Sequence, residues 1–200
     1  MNMRIWQMVT LRRVLGFGVI ALLPAAASAH TGVGATTGFA AGFSHPFSGF
    51  DHLLAMLAVG LWAAQMGGKA RWAVPGAFVA LMILGGLLGL SGIQLPYVEA
   101  GILASVLVLG ILIAAGLKLP LLVSMSLVGG FAVFHGHAHG AEMPMAMSAV
   151  AYSLGFALAT ALLHASGMAG GFALQRLSAA HVLRYAGGLI AMSGVYLAVA

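Results

Sequence analysis

The stretch Pro96-Tyr-Val-Glu-Ala-Gly-Ile-Leu-Ala-Ser-Val-Leu-Val-Leu-Gly-Ile-Leu-Ile-Ala-Ala-Gly-Leu117 contains one charged side chain, Glu99, and an unbroken aliphatic run behind it. About 20 such residues, wound at ~1.5 Å per residue, cross the roughly 30 Å of bilayer hydrocarbon. A β-barrel would use alternating segments of about ten residues, so this run predicts a membrane-spanning α-helix. Five more stretches read the same way, giving spans over 47–67, 72–92, 96–117, 119–138, 145–166 and 182–199. The fifth has room to continue through Gly170 and Gly171 towards Gln175. Pro46, Pro75, Pro96, Pro120 and Pro144 fall at or near span starts, where a missing N–H is tolerated. The expected fold is an all-α integral membrane protein, a six-helix transmembrane bundle with antiparallel neighbours and short connections.

Composition agrees with that reading across the whole chain. Of 200 residues, 62% are hydrophobic and 6% charged, whereas a soluble domain carries roughly 25% charged residues. So few charges cannot cover a soluble surface, and so many apolar groups exclude disorder. With no cysteine, disulfides, thiolate metal sites and thiol catalysis are excluded together. The eight histidines outnumber the three carboxylates. In so apolar a chain they are the feature that needs a reason.

Arg4, Arg12 and Arg13 precede the apolar run Val14 to Leu23, which leads to Ala27-Ser28-Ala29. A basic start, a short apolar run and a small-residue site predict a secretory signal peptide over 1–29, cleaved to leave His30 at the N-terminus. The rival is an uncleaved first helix, for which about ten apolar residues are too few. Residues 30–200 then form a single six-span domain. Losing the leader lowers the formal charge from +5 to +2, so nucleic acid is a poor candidate partner. A cleaved leader puts both mature termini outside the cytoplasm. Lys69, Arg71, Lys118, Arg176 and Arg184 then fall in or beside the inner loops, as the positive-inside rule independently asks. The expected location is the bacterial inner membrane, multi-pass, with periplasmic termini.

On that topology the carboxylates and six histidines gather on the external side. His45, Asp51 and His52 lie at the outer end of the first span, and Glu99 in the first outer turn of the third. His135, His137, His139 and Glu142 close the fourth. His135, His139 and Glu142 are spaced i, i+4, i+7 and share one helix face within about a 60° arc. His45 and His52 are seven apart and share a face if their helix begins at Pro46. Asp51 and His137 are offset and are free to face other helices. Gly136 and Gly140 keep the backbone around the second cluster uncrowded. Neutral imidazole with one or two carboxylates suits Ni²⁺, Co²⁺, Cu²⁺ or Zn²⁺, and intramembrane ionisable groups mark ion paths. Individually these residues have simpler readings. Glu99 also suits a helix start, His164 a helix–helix hydrogen bond, and His181 an interfacial position.

The segment His45-Pro-Phe-Ser-Gly-Phe-Asp-His-Leu-Leu-Ala-Met-Leu-Ala-Val-Gly-Leu-Trp-Ala-Ala64 resembles the signature of the hydrogenase/urease accessory family HupE/UreJ. Phe134-His-Gly-His-Ala-His-Gly-Ala-Glu142 resembles that family's fourth-helix motif. The resemblance covers nearly the whole chain. It implies a nickel or cobalt permease serving nickel enzymes, with function resting on His45, Asp51, His52, His135, His139 and Glu142, and with His137 at a more permissive place in the pattern. His30 is a further capture residue by position. The expected activity is secondary, non-ATP import of divalent nickel or cobalt through this external His/Asp/Glu site. The ion is cargo and no cofactor is expected. Expected partners are the ion, the lipid bilayer and nickel-enzyme maturation proteins. Two rivals use the same residues: a membrane metalloenzyme with Glu142 or Asp51 as general base, and a bis-histidine haem protein. The metalloenzyme lacks the H-E-x-x-H pattern of zincins.

Overall fold

The computed structural model describes residues 35–143 and 147–199, with side chains from residue 38. The leader expected over 1–29, His30, Pro144 and Met145 lie outside the described residues. Within them the chain forms seven α-helices: α1 Ala35–Ser44, α2 Phe50–Met66, α3 Ala70–Leu90, α4 Val98–Ala115, α5 Leu121–Glu142, α6 Ala149–Arg176 and α7 Ala180–Val199. Helices α3 to α7 are each long and apolar enough to span a membrane. A sixth span arises if α1 and α2, which meet at an 80° bend, count as one.

That bend departs from the expected first span. Pro46 sits in a 3-10 turn, His45–Phe47, and Gly49 is extended at φ −102°, so α2 starts at Phe50 rather than Pro46. Proline supplies no N–H to continue α1. Alone, α2 has 17 residues. Other boundaries moved outward. The fourth span runs on to Glu142, which makes the whole second histidine motif helical, and α6 continues through Gly170 and Gly171 to Arg176. Pro75 lies inside α3, slightly deeper than a start position.

Glycine sets how closely the helices approach. A Cβ at Gly136 would overlap the Met82 carbonyl oxygen, and one at Gly140 that of Gly86; Gly85 and Gly89 on α3 meet α5 backbone in return. Thus α3 and α5 touch backbone to backbone, the small-residue packing that lipid favours because burial alone drives no association there. Gly60 on α2 and Gly167 on α6 repeat the arrangement, as do Gly42 on α1 and Gly155 on α6. The apolar interior includes Met56, Trp62, Phe78, Ile102 and Leu109, all fully buried.

The two poles differ in chemistry. At one, the Trp62 indole N–H donates to the Leu117 carbonyl at 2.9 Å, and the Gln65 amide to that of Ile113 at 3.1 Å. Gln175 similarly donates to Ala64 at 3.0 Å. These side chains donate to carbonyls at or just beyond the ends of α2 and α4, where helix termini run short of intrahelical donors. Lys69, Arg71, Lys118, Arg176 and Arg184 all belong to helix ends or connections at this pole. The histidine–carboxylate groups occupy the other.

Candidate metal centre

The 3-10 turn, α2, α4 and α5 converge on an open cavity of about 260 Å³, with His45, Asp51, His52, Glu99, His139 and Glu142 among its lining. His45 comes from the turn rather than from α2. The bend therefore does what a shared helix face was expected to do, swinging His45 over the mouth beside α5. One nitrogen each from His45 and His139 and one oxygen from Glu142 lie within 4.8 Å of one another. His45 Nε2 stands 3.7 Å from Glu142 Oε2. Ligands about 2.1 Å from a shared tetrahedral ion stand ~3.4 Å apart, so small side-chain rotations bring these three into bonding geometry.

Below the mouth the histidine rings meet edge-on in a chain. His139 meets His45 at 4.5 Å between centroids and His52 at 4.4 Å, and His52 meets His135 at 4.7 Å. Hydrogen bonds assign which nitrogen each ring presents. Asp51 Oδ1 accepts from His52 Nδ1 at 2.8 Å and from the His52 backbone N–H at 2.7 Å. That leaves His52 Nε2 buried and unpartnered. The Ser105 hydroxyl donates to the Ile102 carbonyl at 2.6 Å, so its oxygen accepts from His135 Nε2 at 2.9 Å. His135 Nδ1 is then the unprotonated atom, and it too lacks a partner. His139 has neither nitrogen paired. Buried polar atoms are normally hydrogen-bonded, so open lone pairs on His52 and His139 at the cavity, and on His135 behind them, have the chemistry of a ligand set.

Asp51 thus stands behind His52, holding its tautomer and ring plane, the usual part of a carboxylate that backs a metal-binding imidazole. Gly49 is needed beside it, because a Cβ there would stand 2.8 Å from Asp51 Oδ1 and 3.0 Å from His52 Nδ1. Asp51→Asn is expected to weaken metal binding by about 10–100-fold, with helical content unchanged. Equilibrium dialysis with Ni²⁺ against circular dichroism checks it.

His137 lies apart from this cavity. Its Nε2 donates to the Ile93 carbonyl at 2.7 Å, tying α5 to the α3–α4 connection. Gly92, at φ +75°, makes the turn that presents that carbonyl. Glu99 lines the cavity from α4, so its position serves the site as well as a helix start. His181 is exposed and stacks edge-on to Tyr185.

Sequence reading missed Phe156, Tyr152 and Ser105. Phe156 packs 4.2 Å from the His139 ring and Tyr152 faces His45 at 5.9 Å, together walling the site from α6. Aromatic residues in an apolar helix carry no signal of this kind. Ser105 did carry one, as the sole polar side chain of α4 beyond Glu99.

Fold and site together define a multi-pass helical membrane protein with a histidine–carboxylate cluster at one pole. Comparison with known proteins places it further. The profile of the HupE/UreJ protein family matches residues 18–197. Protein HupE of Rhizobium leguminosarum bv. viciae is 49% identical over 179 residues, covering 88% of this chain and 92% of that protein. The chain belongs to the HupE/UreJ family. No solved structure matches it significantly.

Proposed function

We propose that this protein is a secondary permease for divalent nickel or cobalt. It lies in the bacterial inner membrane with the histidine–carboxylate pole outside, and it supplies nickel enzymes in the cytoplasm. The observation carrying this reading is the convergence of His45, His139 and Glu142 from two separate elements onto one open cavity, above His52 and His135. Borderline divalent ions take this imidazole–carboxylate set. The basic residues at the opposite pole support the orientation.

In this reading the hydrated ion meets Glu142 and His45 at the mouth and exchanges water for imidazole at His139 and His52. Ligands divided between a turn residue and helix residues bind firmly enough to dehydrate the ion and loosely enough to release it. A membrane potential favours inward movement by about 2.3 kcal/mol per charge per 100 mV, hence roughly twice that for a divalent ion. A metallohydrolase would need space for an organic substrate, and the cavity of about 260 Å³ is below the usual size for one.

Proteoliposomes enclosing a metal-sensitive dye test the proposal, with Ni²⁺, Co²⁺, Zn²⁺ and Cu²⁺ supplied singly and in competition. Ni²⁺ or Co²⁺ influx above protein-free vesicles is expected. A protonated ring cannot ligate, and a buried imidazole protonates less readily than a free one, so uptake should fall only as the external pH is taken below the free-imidazole value of ~6.5. Uptake that holds its rate at an external pH more than about two units below ~6.5 would remove histidine from the rate-determining site.

A further inference from the structure

His164 is outside the cluster and has no part in the reading above. It lies on α6 at 1% exposure, with neither ring nitrogen hydrogen-bonded. A leucine would fill such a position without an unpaired polar atom, so packing alone does not account for imidazole there. The backbone of His164 abuts Gly60 of α2, where a Cβ would overlap the His164 carbonyl oxygen. Its ring stands edge-on to Phe78 of α3 at 5.1 Å, and the other side of the story is His135, which meets the same Phe78 ring at 5.6 Å. One aromatic side chain separates the deepest ring of the cluster from His164.

Polar atoms accompany this descent. Thr160, one turn before His164, donates its hydroxyl to Met82 Sδ at 3.6 Å. Met82 is one turn beyond Phe78 on α3. It also lines a narrow crevice of about 30 Å³ between α3, α5 and α6, whose wall includes His139. A hydroxyl and a thioether thus lie between the outer histidines and His164 in a largely apolar interior. Depth follows from helix rise. Phe156 touches His139, and His164 is eight residues further along α6, about 12 Å deeper at ~1.5 Å per residue.

We propose that His164 is an inner binding station for the divalent cation, taking it from His135 and His139 past Phe78 before release towards the basic pole. The proposal rests on the transport reading above. The Thr160 hydroxyl and Met82 thioether are the neighbouring donors, a weaker set than the imidazole–carboxylate mouth, and so suited to onward release.

The test uses full-length protein in proteoliposomes with His164→Leu and His164→Cys. Because the chain has no cysteine, the introduced thiol is unique. The leucine variant is expected to lose at least about tenfold in Ni²⁺ influx. The cysteine variant retains a ligand, so it should transport within about threefold of the unsubstituted protein and, with Co²⁺, show a sulfur-to-cobalt charge-transfer band. Unchanged influx in His164→Leu would overturn the proposal. So would a folded His164→Cys protein without the band, whatever the leucine variant does, because a merely structural residue brings no ion to position 164. Failure of the unsubstituted protein to move either ion would defeat the transport reading instead, while the cobalt band would still decide the station.

Discussion

His139→Ala is expected to reduce Ni²⁺ influx into proteoliposomes by more than the ~10–100-fold that loss of a backing partner brings. His139 belongs to the three-residue ligand group at the mouth and also abuts the His52 ring, so its loss removes the junction between capture and descent. Both its nitrogens lack a protein partner. Alanine therefore leaves no donor or acceptor stranded, and the fold should persist. Circular dichroism and size-exclusion profiles check that, with His181→Ala as a comparison at an exposed position far from the cluster. Retained influx in a folded His139→Ala protein would sink the assignment of the mouth.

The second large effect concerns backbone contact. Gly136→Ala places a methyl group on the Met82 carbonyl oxygen, and that atom cannot rotate away as a side chain would. Separating α3 from α5 should cost about 1–3 kcal/mol or more, as overpacking generally does. It also moves His135 and His139, which flank the substituted residue. A lowered thermal midpoint in detergent and a weakened Ni²⁺ affinity are expected together. Gly130→Ala is the control, since a Cβ there meets nothing within 4 Å. Should Gly136→Ala unfold no earlier than Gly130→Ala, α3 and α5 do not depend on this contact.

Much of the fold was legible from the chain because lipid leaves little choice. A run such as Val98–Ala115 has no stable home except a membrane helix, and a cluster of basic residues in alternate connections sorts the helix ends between two poles. What was not legible was the 80° bend at Ser48–Gly49, because a Gly and a Pro near a span start are equally compatible with one straight helix. The expected helical link between His45 and His52 fails for that reason. Their meeting at one cavity is a property of the bend and of α5.

The site divides along the same line. The i, i+4, i+7 spacing of His135, His139 and Glu142 follows from helix periodicity alone, and α5 duly carries all three. Spacing cannot say what each ring faces. Asp51 bonding to His52, Ser105 setting the His135 tautomer, and His137 turning away to Ile93 each depend on a neighbour's coordinates. The glycines changed meaning too. Gly136 and Gly140 read as relief from crowding, yet they are where two backbones touch.

By itself, the sequence determined that the chain is a bundle of membrane helices and which residue types gather at each pole. Both follow from local properties, the hydropathy of a run and the rise of a helix. The tertiary structure decided which imidazole nitrogens are left without a partner and which rings share a cavity. Those depend on distances of 3–5 Å between atoms far apart in the chain, and helix packing sets such distances through glycines whose role only contact reveals.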